Sequence, residues 1–255
     1  MYDLTGKVAL VTGGSQGIGL GISEALAKGG AKVFIVDISE ETTKIAVNEL
    51  TNKGLNVSYQ ICDVQNIGAM NDTFQKIKDE EGHFDILMNN AGVNRRKFSF
   101  DYSEDDWDFI ININLKSCYF NTINAAKIMQ PQKWGRIINT CSITAFMVQA
   151  VRSIYGISKA GVLQLTKYLA REYATMGITV NGIAPGWVRT PLNTQYYREH
   201  PDEEKAVLAA IPMGCPALPE DIGAAARFLA SDEAAHITGH TMVIDCGNLL
   251  GNGEI

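Results

Sequence analysis

The sequence is short of the residues from which disulfide frameworks, metal sites and membrane spans are built. Its five cysteines, Cys62, Cys118, Cys141, Cys215 and Cys246, are odd in number, lie far apart and contain no C-x-x-C pair. That usage suits isolated thiols in a reducing compartment better than disulfides or zinc ligands. Only four histidines are present, and His236 and His240, though four apart, have no neighbouring thiolate and no H-E-x-x-H pattern, so no metal is expected. No stretch approaches the ~20 apolar residues of a membrane span, and the N-terminus passes almost directly into Lys7-Val8-Ala9-Leu10-Val11, too short for a signal-peptide core. A cytoplasmic protein with no membrane partner is expected. Basic residues are outnumbered, 22 Lys and Arg against 28 Asp and Glu, giving a formal charge of -6, and most are scattered. Without a basic field, nucleic acid is excluded as a partner.

Hydrophobic residues make up 46% of the 255, enough for a large core, and one domain spanning 1–255 is expected. The run at Lys7 to Val11 leads into Thr12-Gly13-Gly14-Ser15-Gln16-Gly17-Ile18-Gly19 and then a helical pattern through Ala27. Strand, glycine turn and helix together aim backbone N–H groups at a phosphate. Gly13 permits the sharp turn, Gly17 admits a pyrophosphate to the backbone, and Gly19 lets the helix pack on the strand. A second buried strand, Ala31 to Val36, ends at Asp37, roughly 20 residues on, where dinucleotide folds hold an acid for the ribose hydroxyls. A carboxylate there repels a 2′-phosphate. With Ile38 and Gln16 in place of basic residues, NAD is favoured over NADP.

Strands and helices go on alternating. A helix from Glu40 to Lys53 precedes a strand from Asn56 to Cys62 and then Asp63-Val64; a helix from Ile67 to Glu81 precedes a strand from Phe84 to Met88 and then Asn89-Asn90-Ala91-Gly92. This pattern predicts an α/β fold: a Rossmann-type doubly wound parallel sheet with helices on both faces. Asp63 is placed to accept from an adenine amino group, and Ala91-Gly92 leave room for a flat ligand. One long helix is predicted over Glu104 to Met129, with Asn112 and Asn114 as polar residues in its apolar section. A strand from Trp134 to Cys141 follows, ending at Ser142. Further on, Tyr155 stands four positions before Lys159, so on a helix both rise from one face. A phenol is a poor base at neutral pH, and an ammonium one turn away favours its anion. The pair can therefore exchange a proton, and the Ser142 hydroxyl can hydrogen-bond the same substrate oxygen.

Thr12-Gly13 with Gly17-Ile18-Gly19, Asp63-Val64, Asn89-Asn90-Ala91-Gly92, Asn114, Ser142, Tyr155 with Lys159, and Pro185-Gly186 with Thr190 stand in the order of the short-chain dehydrogenase/reductase family, which the chain resembles over essentially its whole length. The resemblance implies Tyr155 as acid/base and Ser142 as the residue that orients and polarises the substrate oxygen. Lys159 would assist the tyrosine and bind the nicotinamide ribose, while Asn114 holds a water in a relay to that lysine. It implies cofactor contacts from Gly13, Ser15, Gln16, Gly17, Ile18, Gly19, Asp37, Asp63, Val64, Asn90, Ala91, Gly92, Tyr155, Lys159, Pro185, Gly186, Val188 and Thr190. It also implies a homotetramer built through the helices of Trp107 and Tyr155 and the C-terminal strand. Two positions depart from the usual pattern, Cys215 after Met213-Gly214 and Cys246 after Asp245.

The segment over about 190–215 is polar and reads as a mobile substrate lid. Around the pocket, Arg95, Arg96 and Arg152 suit a carboxylate or phosphate, and Trp187 lies in the loop before the lid. The Arg95-Arg96 pair resembles gluconate 5-dehydrogenases and 2-deoxy-gluconate 3-dehydrogenases, which implies a secondary alcohol on a sugar acid, sugar or polyol, oxidised reversibly with NAD. Alternatively the arginines pair with Asp101, Glu104 or Asp105 on the surface. Competing readings are a 3-oxoacyl-[acyl-carrier-protein] reductase, a dehydrogenase of an apolar steroid-like alcohol favoured by Phe146, Trp187, Tyr196 and Tyr197, and a cofactor-binding regulatory protein without activity.

Overall fold

The first strand, β1 (Val8–Thr12), is buried along its whole length. Such a run, with no polar face, belongs inside a sheet covered on both sides. In the computed structural model, which describes residues 2–251 apart from the side chain of Leu192, β1 is an interior strand of a seven-stranded sheet. The expected domain thus extends at its two ends, residue 1 and residues 252–255, beyond what is described. The other strands are β2 (Lys32–Asp37), β3 (Val57–Ile61), β4 (Ile86–Asn89), β5 (Gly135–Thr140), β6 (Ile178–Pro185) and β7 (Thr241–Ile244), in the order β3-β2-β1-β4-β5-β6-β7. All pairings are parallel, with Leu10 opposite Phe34 on one side of β1 and opposite Leu87 on the other. Chain order reverses between β1 and β4, which opens a crevice at the carboxyl ends of the strands.

Successive strand residues point to opposite faces, so the sheet divides its core in two. Leu10, Phe34, Leu87 and Ile137 meet α3 (Ile67–Glu81), α5 (Ser117–Met129) and α6 (Ser153–Tyr173) through Phe74, Met129 and Val162. Val11, Ile35, Met88 and Ile138 meet α1 (Gly17–Lys28), α2 (Glu40–Asn52) and α9 (Pro219–Ala230) through Ile22, Leu50 and Leu229. Each fully buried side chain of this size contributes about 1.5–3 kcal/mol. Close packing of α1 on α9 depends on two small residues: a Cβ on Gly223 would stand 2.5 Å from the Gly21 carbonyl oxygen.

Three expectations change. The single helix over 104–129 is two, α4 (Glu104–Ile111) and α5, joined by a π-helical turn at Asn112–Lys116. The extra residue per turn rotates Asn114 inward, where it is buried. The lid segment, for which no helix was drawn from sequence, forms two helices, α7 (Pro191–Glu199) and α8 (Pro201–Ala209), each opened by a proline in its first turn. Its polar composition hides internal contacts: Trp187 meets Tyr197 edge-on at 5.2 Å, and Arg189 pairs with Glu204. Strand ends shift by a residue or so at β3 and β5.

Candidate active site

The crevice beside β1 is a cleft of about 1330 Å³ that runs from Ser15 and Asp37 at one end to Lys159 and Ile113 at the other. Its floor depends on glycines. At Gly13, φ is +60 and an added Cβ would lie 2.9 Å from the Ala91 Cα; at Gly19 it would lie 1.9 Å from the Gly13 carbonyl oxygen. The glycine turn is tied to the end of β4 as well. Thr12 Oγ1 accepts from the N–H groups of Asn90 and Ala91, and Asn90 Nδ2 donates to the carbonyls of Thr12 and Gly13. Gly17, at φ +51, faces the Thr190 side chain across the cleft.

At the far end, Asp37 Oδ2 accepts from the Ser15 hydroxyl at 2.6 Å and its Oδ1 from the Ile38 N–H at 2.8 Å. Asp63, expected to face an adenine, has both oxygens engaged by Gln65, the backbone N–H at 2.9 Å and Nε2 at 3.2 Å. Asp37, Glu49 and Asp63 make this end acidic; among the described residues, Arg95 and Lys159 are the basic ones lining the cleft, and neither lies there. A glycine floor that a Cβ would fill, a helix N-terminus and an acidic far end fit a nicotinamide dinucleotide.

At the near end, α6 presents Tyr155 and Lys159 to the cleft. Lys159 is buried, its Nζ donating to the Thr140 carbonyl at 2.7 Å and lying 5.8 Å from the centre of the Tyr155 ring. A buried ammonium without a carboxylate is costly, so its charge is available to an anion in the cleft. A Cβ on Gly92 would sit 3.4 Å from Asn114 Oδ1 and 3.5 Å from Lys159 Nζ, which keeps these groups close together. The Asn114 amide is taken up by Val93, accepting from its N–H and donating to its carbonyl, and by Ser158 Oγ. Ser158 in turn donates to the Tyr155 carbonyl. Ser142, buried at the end of β5, accepts from the Thr144 N–H at 3.2 Å, which leaves its own proton to donate elsewhere. Two thiols near Lys159 are inert: burial pushes Cys118 up to about 12 and Cys141 to about 11, against the pull of the lysine charge.

The three arginines separate. Arg95 lines the cleft but pairs with Asp106, lies 4.1 Å from the centre of the Phe109 ring, and shares that carboxylate with Lys97. Arg95 is thus ion-paired, but with the buried Asp106 rather than with Asp101, Glu104 or Asp105 on the surface as considered from sequence. Lys97, the Ser103 backbone and Arg95 hold the Asp106 carboxyl well below the usual range. Arg96 is exposed, Arg152 half-buried, and among the described residues neither has a carboxylate partner. Arg152 donates to Gln149 at 2.7 Å, and burial followed by the charge of Arg96 pulls its guanidinium below its ordinary value. Tyr155 and Tyr197 lie within electrostatic reach of it, so Arg152 sits between the α6 pair and the lid.

Arg96, Asn114, Ser142 and Arg152 border the cleft without lining it, and Pro185, Gly186, Trp187 and Val188 do not line it either. Pro185 pairs with Ile244, Gly186 packs on Asp245 where a Cβ would come within 2.6 Å, and Val188 is buried and bridges to Ala217. Thr190 and Pro191 do line it. Residue types alone gave no reason to single out Thr140 and Ser158, which place their neighbours, or Phe109 and Ile113, which form the apolar wall.

A family description headed enoyl-(acyl carrier protein) reductase matches residues 13–248, nearly the whole chain. The chain is a short-chain dehydrogenase/reductase. Within this family it is 43% identical to "Oxidoreductase UcpA" of Salmonella typhimurium, over 98% of this chain and 97% of that protein. It is 39% identical to the 3-oxoacyl-[acyl-carrier-protein] reductase FabG of Chlamydia pneumoniae, over 96% and 97%. Among solved structures, a candidate 2-deoxy-D-gluconate 3-dehydrogenase from Agrobacterium tumefaciens, with NADP bound, superposes with a TM-score of 0.90 at 37% identity, over 97% of this chain and 98% of that one. This short-chain dehydrogenase/reductase is therefore an oxidoreductase with a nicotinamide cofactor.

Proposed function

We propose that the protein interconverts a secondary alcohol and a ketone on a small anionic sugar acid, with NAD. When bound, the nicotinamide accepts the hydride that leaves the carbinol carbon, or returns it in the reverse direction. Tyr155 takes the hydroxyl proton as that hydride leaves, and Ser142 donates to the same oxygen and fixes its direction. Lys159, buried and held by the Thr140 carbonyl, supplies positive charge to the developing oxyanion and to the cofactor ribose. Asn114 positions Val93 and Ser158 around this pair, and would hold a water in a relay to the lysine. Gly13, Ser15, Gln16, Gly17, Ile18 and Gly19 would hold the pyrophosphate and ribose, Asp63 and Val64 the adenine, and Asn90, Ala91, Gly92 and Thr190 would complete the groove.

The substrate class rests on one observation: among the described residues Arg96 and Arg152 have no carboxylate partner and Arg152 stands within electrostatic reach of Tyr155, just outside the cleft lining, while Arg95 has spent its charge on Asp106. Two guanidiniums that repel each other gain most from a carboxylate bound between them. Trp187 and Tyr197 would close the pocket from the lid. NAD is supported by the carboxylates Asp37, Glu49 and Asp63 at the adenosine end, which oppose a 2′-phosphate. Exposed aromatic residues on α4 and α5, Trp107, Tyr119 and Phe120, support a homotetramer, and unpaired thiols suit a reducing cytoplasm.

The test is NADH formation across gluconate and related sugar acids, neutral polyols and apolar secondary alcohols, each with NAD and with NADP. The proposal expects turnover of the acids with NAD. Reduction of a 3-oxoacyl thioester with NADPH and silence toward the acids would move the protein to the reading favoured by its FabG relative.

A further inference from the structure

The loop after the lid meets the end of the last strand, and each contributes a cysteine. Cys215 is exposed and Cys246 half-buried, and the Cys246 thiol lies within electrostatic reach of Cys215. Their backbones are already held together: the Met213 N–H donates to the Cys246 carbonyl at 3.2 Å, and Asn248 Nδ2 donates to the Ala210 carbonyl at 2.9 Å. Pro212 packs on Gly247, where a Cβ would lie 3.2 Å from its ring. Cys246 itself has φ +54, in the left-handed region that favours glycine. A thiol is therefore held at a strained position, on a segment hydrogen-bonded to the loop that carries a second thiol and follows the lid helices. Cys62, Cys118 and Cys141, by contrast, are buried.

We propose that Cys215 and Cys246 form a reversible disulfide that fixes the lid hinge to the end of β7. The oxidant is a low-molecular-weight disulfide. The Cys215 thiolate, on the exposed side, attacks one sulfur of the oxidant, forming a mixed disulfide and releasing one small thiol. The Cys246 thiolate then attacks the Cys215 sulfur, and the bond to the second small thiol breaks. Two protein thiols lose two electrons in all, the oxidant gains them, and the two thiol protons end on the two released thiols. Burial, followed by Cys215 and the nearby acids Asp221 and Asp245, pushes the Cys246 thiol up, so the first attack falls to the exposed Cys215 and the second relies on the closeness of the two loops. With the bond made, residues 210–217 can no longer swing away from β7, so α7 and α8 lose the hinge through which they would open over the cleft. The crosslink needs no assumption about substrate. Only an effect on turnover would rest on the function proposed above.

The experiment uses the full chain with oxidised glutathione as the oxidant. Intact mass and non-reducing peptide mapping should show a Cys215–Cys246 linkage, reversed by dithiothreitol. Cys246→Ser should stop at a glutathione adduct on Cys215, and Cys215→Ser should form no linkage. Limited proteolysis reads the lid directly: cleavage within 191–209 should slow in the oxidised wild type and not in either variant. A wild type that stops at the glutathione adduct, or that links Cys215 between two chains, overturns the disulfide. A linkage formed with unchanged cleavage of the lid overturns the lock, whatever the substrate panel shows.

Discussion

Replacing Arg152 with alanine separates a recognition arginine from a structural one. Arg152 is half-buried beside Tyr155, and its recorded partner is the neutral Gln149, so a substrate carboxylate can engage it without displacing an ion pair. A charge-assisted hydrogen bond of that kind contributes about 1.5–3 kcal/mol. Removing it should lower kcat/KM for the acid roughly 10- to 150-fold, at about 1.4 kcal/mol per tenfold. Relief of repulsion from Arg96 offsets this by no more than a few tenths of a kcal/mol near the surface. Neutral polyols never use the guanidinium, so their kcat/KM should move less than about threefold. Arg95→Ala should behave in the opposite way: the acid is turned over nearly as before, while the urea midpoint falls because buried Asp106 loses a partner. The assay is initial-rate NADH formation on a sugar acid and a neutral polyol, paired with urea unfolding of each variant. An equal loss on acid and polyol, or no loss on the acid, would refute the reasoning.

Gly19→Ala puts a methyl group 1.9 Å from a backbone oxygen that cannot move without breaking the glycine turn. Overpacking of about 1–3 kcal/mol and loss of NAD binding should follow, read by thermal unfolding and by cofactor titration. Gly6→Ala, at φ +76 with nothing within 4 Å, should cost only the backbone term of about 1–2 kcal/mol and leave NAD binding intact. Acid tests the Asp106 cluster. Its carboxyl is depressed in the folded protein, so its contribution is full above the ordinary aspartate value near 4 and is lost as pH falls from there through the folded value. Asp106→Asn should therefore lower the urea midpoint at pH 7 and narrow its difference from wild type by pH 3.

Most of the sheet was legible because its strands are short apolar runs bounded by glycine or acid, and because Thr12 to Gly19 admits few readings. Tyr155 and Lys159 were legible for the same reason that they work: a spacing of four puts them on one helix face. Asn114 was picked out, but not the π turn that aims it, since an inserted residue leaves no mark in an apolar period. The lid helices gave a signal that polar composition masked: Pro191 and Pro201 each open a helix, and Asp202, Glu203 and Glu204 fill the first turn of α8. Arg95 and Arg96 are neighbours of the same type with different partners. Nothing local told them apart, because the distinction lies in Asp106 of another element. Gly186 and Val188 likewise follow the family's motif, yet in this structure they pack against Asp245 and Ala217.

The central claim is that Tyr155 moves the proton while a nicotinamide takes the hydride, and Tyr155→Phe tests it most directly. The ring remains to pack against its neighbours and only the hydroxyl is lost. The account predicts that NAD still binds, within about threefold by fluorescence titration, while turnover of the best substrate in the panel falls at least about 100-fold, the usual span of acid–base catalysis. Near-normal turnover with cofactor bound would contradict it.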